Sequence, residues 1–289
     1  MKRCVPIRGF VLLFAILFLN VTQARAEFFE ATIPQGIWIE TWAKHITADD
    51  LKDSDGNTVK IGGQDLGLDV NLLLIRPIYA TKYWIFDAWI PLVDQEIDAF
   101  GVDDSGIGDI WVSAWIRNEN APAAWRPFDI NLAPGIEVKI PTNTDVSDKQ
   151  YDVRADLRFS KFFFQGSPFG GGSKVAVEGA VDYTFRFEDT DTDVKPGNEF
   201  HWMVGPSIAV GNSARLGMDI GGVYTEKDEF DGDAVPGTWS RSWYAGPTAC
   251  INLSRSFQLR AKAAFDIDAV NKEKAQSAYL RLVYYVPTK

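Results

Sequence analysis

Residues 128–140, FDINLAPGIEVKI, alternate apolar and polar side chains almost without fault. Phe128, Ile130, Leu132, Pro134, Ile136, Val138 and Ile140 fall on one side of a period of two, and Asp129, Asn131, Glu137 and Lys139 fall on the other. That period belongs to a β-strand, whose successive side chains point to opposite faces. Such a strand can turn its apolar face to a protein core, or outward to lipid with its charges kept inside a barrel. Which of the two holds limits everything the chain can do.

The same separation recurs in 151–159, 175–187 and 257–267. Counted by place within each of the four segments, the first, third and fifth positions and their successors carry only Phe, Ile, Leu, Val, Tyr, Ala, Gly and Pro. The intervening positions carry thirteen charges: Asp129, Glu137, Lys139, Asp152, Arg154, Asp156, Arg158, Glu178, Asp182, Arg186, Arg260, Lys262 and Asp266. A half-buried soluble sheet would show the same split, so other features have to arbitrate.

Three do. Twelve strand-like segments lie near 36–45, 67–76, 82–92, 107–117, 127–140, 151–163, 173–187, 199–211, 214–226, 239–253, 256–267 and 277–286. Their lengths match the about 9 to 11 residues that cross a bilayer at a tilt and exceed the usual five or six of soluble strands. Their links alternate: 46–66, 93–106, 141–150, 188–198, 227–238 and 269–276 are long, whereas Gly211-Asn212-Ser213 and Ser254-Arg255 are tight. Aromatic residues make up 13% of the chain and crowd segment ends, which assigns Trp38, Trp42, Trp84, Trp89, Trp111, Trp115, Trp239 and Trp243 to girdles at the two membrane interfaces. The expected fold is therefore all-β: an antiparallel transmembrane β-barrel of 12 strands, with long extracellular loops, short periplasmic turns and both termini on the periplasmic side. A soluble lipocalin-like binder is the main alternative.

Export fits this reading. Lys2, Arg3 and Arg8 precede an apolar run from Gly9 to Leu19, and Ala24-Arg25-Ala26 follows. This is the three-part pattern of a signal peptide, 1–26, ahead of a barrel domain, 27–289. Eleven apolar residues are too few for a spanning helix, which takes about 20. Loss of the leader removes four cations and no acids, taking the net charge from −10 to about −14. So acidic a chain is not expected to bind nucleic acid. Cys4 leaves with the leader, so Cys250 has no internal disulfide partner. The outer membrane of a Gram-negative cell is the expected location. Membrane lipid, lipopolysaccharide, the barrel-assembly machinery and a small-molecule solute are the expected partners.

Catalytic chemistry is not expected. His45 and His201 are the only histidines, no Ser or Cys stands in a recognisable motif with either, and G-x-S-x-G, H-E-x-x-H and P-loop patterns do not occur. The acidic loop segment DSDGN resembles part of a calcium loop, but counting back from Gly56 puts Leu51 at the first ligand position and Gly62 at the bidentate one. Neither a metal nor a cofactor is expected.

The lumen does hold interleaved charge. Glu137, Lys139, Asp152, Arg154, Asp156, Arg158, Glu178, Asp182, Arg186, Arg260, Lys262 and Asp266 are the candidate solute-path residues. They could form a salt-bridge lattice that stiffens and plugs the wall, or a transverse field that selects solutes. A twelve-strand barrel lies between filled eight-strand and open sixteen-strand ones, so size leaves both open. On this face assignment Ile136→Arg should be costly for assembly and Glu137→Gln nearly silent.

The segments GIWIETWAKHITADDLKDSDGN (36–57), WIPLVD (89–94), SGIGDIWV (105–112), GIEVKIPTNTD (135–145), KPGNEFHW (195–202), YAGP (244–247) and YLRLVYYV (279–286) occur in that order. In order and spacing the chain resembles the MetA-pathway of phenol degradation family of outer-membrane proteins. The resemblance implies a barrel that passes hydrophobic or aromatic compounds to catabolic enzymes. Two departures accompany it. Asn143 stands where relatives carry Gly, and the chain ends Tyr285-Val286-Pro287-Thr288-Lys289 rather than on an aromatic residue. A closed structural or adhesive surface barrel is the alternative function, and a barrel enzyme dependent on His201 a third.

Overall fold

The computed structural model describes residues 34–117, 130–142, 144–163, 175–188, 194–211, 213–254 and 256–287. Twelve long strands form the wall: β1 Gly36–Lys52, β2 Leu68–Ala80, β3 Trp84–Ile97, β4 in two pieces Val102–Ile107 and Ile110–Ile116, β5 Asn131–Ile140, β6 Asp152–Phe163, β7 Val175–Arg186, β8 Glu199–Val210, β9 Ala214–Thr225, β10 Ser240–Asn252, β11 Phe257–Val270 and β12 Glu273–Pro287. Each pairs antiparallel with its sequence neighbours, and β12 pairs with β1 from Gly36↔Pro287 upward, so the sheet closes into a barrel. Among the described residues no helix is long and apolar enough to cross a membrane. The leader 1–26, Phe128, Asp129, Asn143 and the segments 118–126 and 165–172 lie outside the described residues.

The faces separate as the period of two demands. Ile136 is 57% exposed and its neighbour Glu137 1%; Leu157 is 40% exposed and Asp156 6%. The outward rows carry Ile37, Ile39, Leu73, Ile75, Val181, Phe185, Leu216, Ile220 and Leu282 among many exposed apolar side chains. A soluble monomer seldom exposes so continuous an apolar belt, and lipid is the solvent that accepts it.

Two expected loops are strand instead. β3 and the first piece of β4 stay paired from Leu92↔Ile107 to Ile97↔Val102, so 93–106 is a hairpin closed by the single turn Asp98–Phe100 and Gly101 at φ 63°. β11 and β12 are joined by Asn271 and Lys272 alone, so 269–276 is no long loop. The reason is environmental. Beyond the lipid both faces of a hairpin meet water, so Asp94, Gln95, Glu96, Asp103 and Asp104 follow one another and the alternation that marks a strand disappears. Long connections do remain at 53–67, 141–151, 187–198 and 226–239, whereas three residues separate Ala80 from Trp84 and Val210 from Ala214, and four separate Asn252 from Phe257; Asn212 and Arg255 lie outside the described residues.

The two pieces of β4 are out of phase. Ile107 faces Leu92 and Trp111 faces Trp89, so β4 carries one residue more than β3 over this stretch. That extra residue is a bulge at Gly108-Asp109, where the Gly108 N–H donates to the Pro91 carbonyl at 2.9 Å. Below it Trp111, Ser113 and Trp115 point inward; above it Val102, Asp104 and Gly106 do.

Ile136→Arg, in the outward row at the middle of β5, is expected to cost about 2 to 4 kcal/mol. The readout is the urea midpoint of the barrel refolded into vesicles; an unchanged midpoint would take this face of β5 out of the lipid.

Candidate functional site

The strands β5 to β8 bring the densest inward charge together. Glu137 sits between two arginines, with Arg154 Nη1 at 3.4 Å and Arg158 Nη2 at 3.3 Å. Arg158 also reaches Asp156 at 3.1 Å, and Arg154 lies 3.6 Å from Asp182 while its Nε donates to the Thr184 hydroxyl at 3.0 Å. Both guanidinium groups lie over indole rings, Arg154 at 4.3 Å from the centroid of Trp111 and Arg158 at 4.1 Å from that of Trp115. Lys139 pairs with Asp152 at 2.6 Å and with Asp148. Farther round, Arg186 meets Glu199 at 2.8 Å, Arg260 meets Glu178 at 3.3 Å, and Lys262 meets Asp219 at 2.8 Å. Asp266 accepts the Ala275 N–H at 3.0 Å. All twelve candidate residues are thus partly or fully buried, and most are joined to one another across strands.

A second cluster was not foreseen. Glu40 on β1 contacts Arg76 on β2 at 3.2 Å and Arg281 on β12; Arg76 Nε reaches Asp87 on β3 at 2.9 Å, and Asp87 accepts from Ser113 on β4. The side chains of Glu40, Arg76, Asp87 and Arg281 are 3% exposed or less. Below them Trp38, Ile78, Ala80, Ile85, Trp115 and Val283 form an apolar cluster against Tyr285. Trp115 needs Gly135 beneath it, since a Cβ there would come within 2.3 Å of the indole.

The girdle assignment holds for Trp84 and Trp243, which are 44% and 48% exposed on the outer face. It fails for Trp38 and Trp115, which are buried, and for Trp42, Trp89 and Trp111, which sit against inward arginines. The signal was in the phase: Trp38 and Trp42 share alternate positions with Glu40, whereas Ile37 and Ile39 share the other set. The opposite wall is paved with small inward residues, Ala180, Gly205, Gly221 and Thr248 among them. There His201 lies between Asp182, at 2.7 Å from Nδ1, and the Tyr244 hydroxyl, at 3.1 Å from Nε2. His45, by contrast, is exposed and bonds Asn71 at 3.1 Å. A recess of about 670 Å³ lies on the outer face across β12, β1, β2 and β3, walled by Ala43, His45, Leu73, Leu92, Asp94 and Ala278.

The bulge anchors a loop. The Asp109 carboxylate accepts from Thr142 N–H at 3.2 Å, Ser147 hydroxyl at 2.5 Å and Asp148 N–H at 3.3 Å, while Thr142 and Thr144 hydroxyls donate to the Ile107 carbonyl. Burial acts to raise the Asp148 carboxyl, but hydrogen bonds with Asp109 and Lys139 outweigh it and hold it below the ordinary carboxylate value. In the 53–57 turn, backbone N–H groups of Asn57 and Asp55 donate to Asp53 at 2.8 and 2.9 Å. The Asn57 N–H bond leads in holding that carboxyl below its usual value. That carboxylate folds its own turn. Among the described residues no group of three His, Cys, Asp or Glu side chains is placed to hold a metal ion.

These placements change the expected cost of neutralising lumen acids. Glu137 is wedged between two arginines, so Glu137→Gln is expected to weaken the barrel by about 1 to 3 kcal/mol rather than pass silently. Glu40→Gln strands two drier arginines and is expected to cost more, about 3 to 5 kcal/mol. The order of the two urea midpoints checks the pair; Glu137→Gln as the more damaging change would contradict it.

The chain is similar in structure to an outer membrane channel from Pseudomonas putida F1, with a TM-score of 0.72 at 18% identity over 92% of this chain and 100% of that one. It is also similar to the beta domain of the Bordetella autotransporter Brka, with a TM-score of 0.50 at 10% identity over 88% of this chain and 100% of that one. No curated protein sequence matches it at a significant level. The likeness to the channel shows the fold: a closed, twelve-stranded barrel of the outer-membrane kind. Residues 48–282, most of the chain, match the family described as "Putative MetA-pathway of phenol degradation", and the chain belongs to that family.

Proposed function

We propose that the chain is a passive outer-membrane channel for small solutes, with hydrophobic or aromatic compounds as its cargo. One observation carries the reading: inward side chains near one end of β6, β7 and β8 are wet, and Arg158, halfway along β6, is still 12% exposed. Arg154 is 28% exposed, Arg186 27% and His201 26%, although each lies on the charged face of the wall. A lumen sealed throughout by its own ion pairs would leave them dry. Charged side chains facing water in a narrow passage set which solutes pass, and Glu137, Lys139, Asp152, Arg154, Asp156, Arg158, Glu178, Asp182, Arg186, Arg260, Lys262 and Asp266 are assigned that role. The family description and the printed name of the Pseudomonas channel support aromatic cargo and conduction respectively.

The dry cluster of Glu40, Arg76, Asp87 and Arg281 favours a second reading, a barrel closed at that level. Single-channel recording in a planar bilayer separates the two. A solute path gives discrete steps, and Arg154→Gln with Arg158→Gln moves the reversal potential toward cation preference. A sealed barrel is silent and the double variant leaks. The hydrogen bonds of His201 both go to Asp182 and Tyr244, which leaves no ring nitrogen for a Ser or Cys nucleophile, so the reading includes no catalytic step.

The proposal includes export with removal of 1–26, insertion by the barrel-assembly machinery, and lipopolysaccharide and lipid around the apolar belt. The protein recovered from outer-membrane fractions is expected to begin at Glu27; an N-terminal sequence that starts at Met1 would refute the cleavage.

A further inference from the structure

Ion pairs in the wall join strands that lie side by side: Glu137 to Arg154 and Arg158, Arg186 to Glu199, Glu40 to Arg76 and to Arg281. The pair of Arg260 with Glu178, at 3.3 Å, does not. Glu178 is on β7 and Arg260 on β11, with β8, β9 and β10 between them in the sheet. Two inward side chains so far apart along a closed wall meet only across the lumen. Lys262, by contrast, reaches Asp219 only two strands away, and that carboxylate lies close to the wall, where a Cβ on Gly205 would come within 2.4 Å of it.

Register sets the level of this crossing. Arg260 stands opposite Arg281 of the dry cluster, and Glu178 stands opposite Ser160, two residues along β6 from Arg158. Glu40, Arg76, Asp87 and Arg281 occupy the β12 to β3 side of the lumen there, and Arg158 with Glu137 occupies the β5 and β6 side. From β8, β9 and β10 come Gly205, Gly217 and Thr248, none of them long: Gly205 is the register partner of Glu178, and Gly217 that of Thr248. The bridge from Glu178 to Arg260 therefore completes a charged ring on the side that the wall leaves low. It is also wetter than the cluster it completes, with side chains 19% and 14% exposed against 3% or less. A partly hydrated pair separates at less cost than a dry one.

We propose that Glu178 and Arg260 are the selectivity-determining pair of the lumen: their separation opens its β7 to β11 side, and their two charges set the sign of what passes. This deepens the channel reading and rests on it. Fixed charge at a narrow level of a pore governs selectivity, and the two charges here cancel only while both are present.

The test is single-channel recording of the refolded full-length barrel in equal and unequal potassium chloride across a planar bilayer. Glu178→Ala together with Arg260→Ala removes the bridge at constant net charge, and conductance is expected to rise at least about twofold with the reversal potential nearly unmoved. Glu178→Gln alone leaves the cation and should move the reversal potential toward anion preference, and Arg260→Gln alone should move it toward cation preference. Arg241→Gln, whose pair with Asp268 at 3.3 Å lies on the outer face, should change neither quantity. Where the double alanine variant does not fold, Glu178→Asp shortens one arm by a methylene, keeps both charges and is expected to raise conductance in the same direction. Unchanged conductance in the folded variant, or single variants that do not shift the potential in opposite directions, overturns the assignment while the channel reading stands. An unaltered barrel that is silent and conducts once the bridge is removed overturns the channel reading and keeps the assignment. Silence in both overturns both.

Discussion

Hydrocarbon offers a backbone N–H or C=O no hydrogen-bond partner, so the barrel stands on the pairing of its first strand with its last. The ladder runs unbroken from Gly36↔Pro287 to Thr47↔Gln276. Side chains reinforce it from within: Glu40 meets Arg281 across the seam, and Trp38 stacks on Tyr285 with ring centroids 3.9 Å apart. Gly36 gives that tyrosine its place, since a Cβ would lie 2.4 Å from the ring. The Tyr285 hydroxyl then donates to the Gln35 carbonyl at 2.9 Å. The last strand thus spends its near-terminal aromatic residue on closing the cylinder rather than on the lipid face, where Tyr284 and Val286 stand.

Inside the closed wall, charge is distributed unevenly. The β12 to β4 side is bulky and dry, with guanidinium groups layered on Trp42 and Trp89, whereas the β7 to β10 side is lined by small residues. Buried ion pairs recover little net energy once desolvation is counted. Their value here is positional: Arg76 and Arg281 are held by the same carboxylate from different strands, so three strands share one register. The more exposed inward side chains, Arg154, Arg186 and His201, lie on the other side.

The sequence was most legible where lipid lay on one face and water on the other. At Ile136 and Glu137 the two environments differ so sharply that alternation alone assigns both residues. Legibility fell away in two places. Past the membrane the hairpins carry polar residues on both faces, so Asp94 to Glu96 read as loop although they are paired. In the lumen, tryptophan serves the core and the interface equally well, and only its phase relative to Glu40 separated the two. The hub residues Glu40, Arg76 and Asp87 stand one per strand, each with an apolar residue immediately before it. Nothing in a single strand says that they meet.

The bulge at Gly108-Asp109 sets a reading frame for the pleat. Every side chain of β4 below it keeps its facing only because one surplus residue was admitted there, and the loop from 141 to 151 is tied to the carboxylate that the surplus residue presents. Deleting a single residue at this step would leave a chain of nearly unchanged composition whose ladder could no longer satisfy both halves of the hairpin. Either Trp111, Ser113 and Trp115 would turn to the lipid, or the hairpin above would turn inside out. At this step of the chain, length is therefore less free to change than residue type.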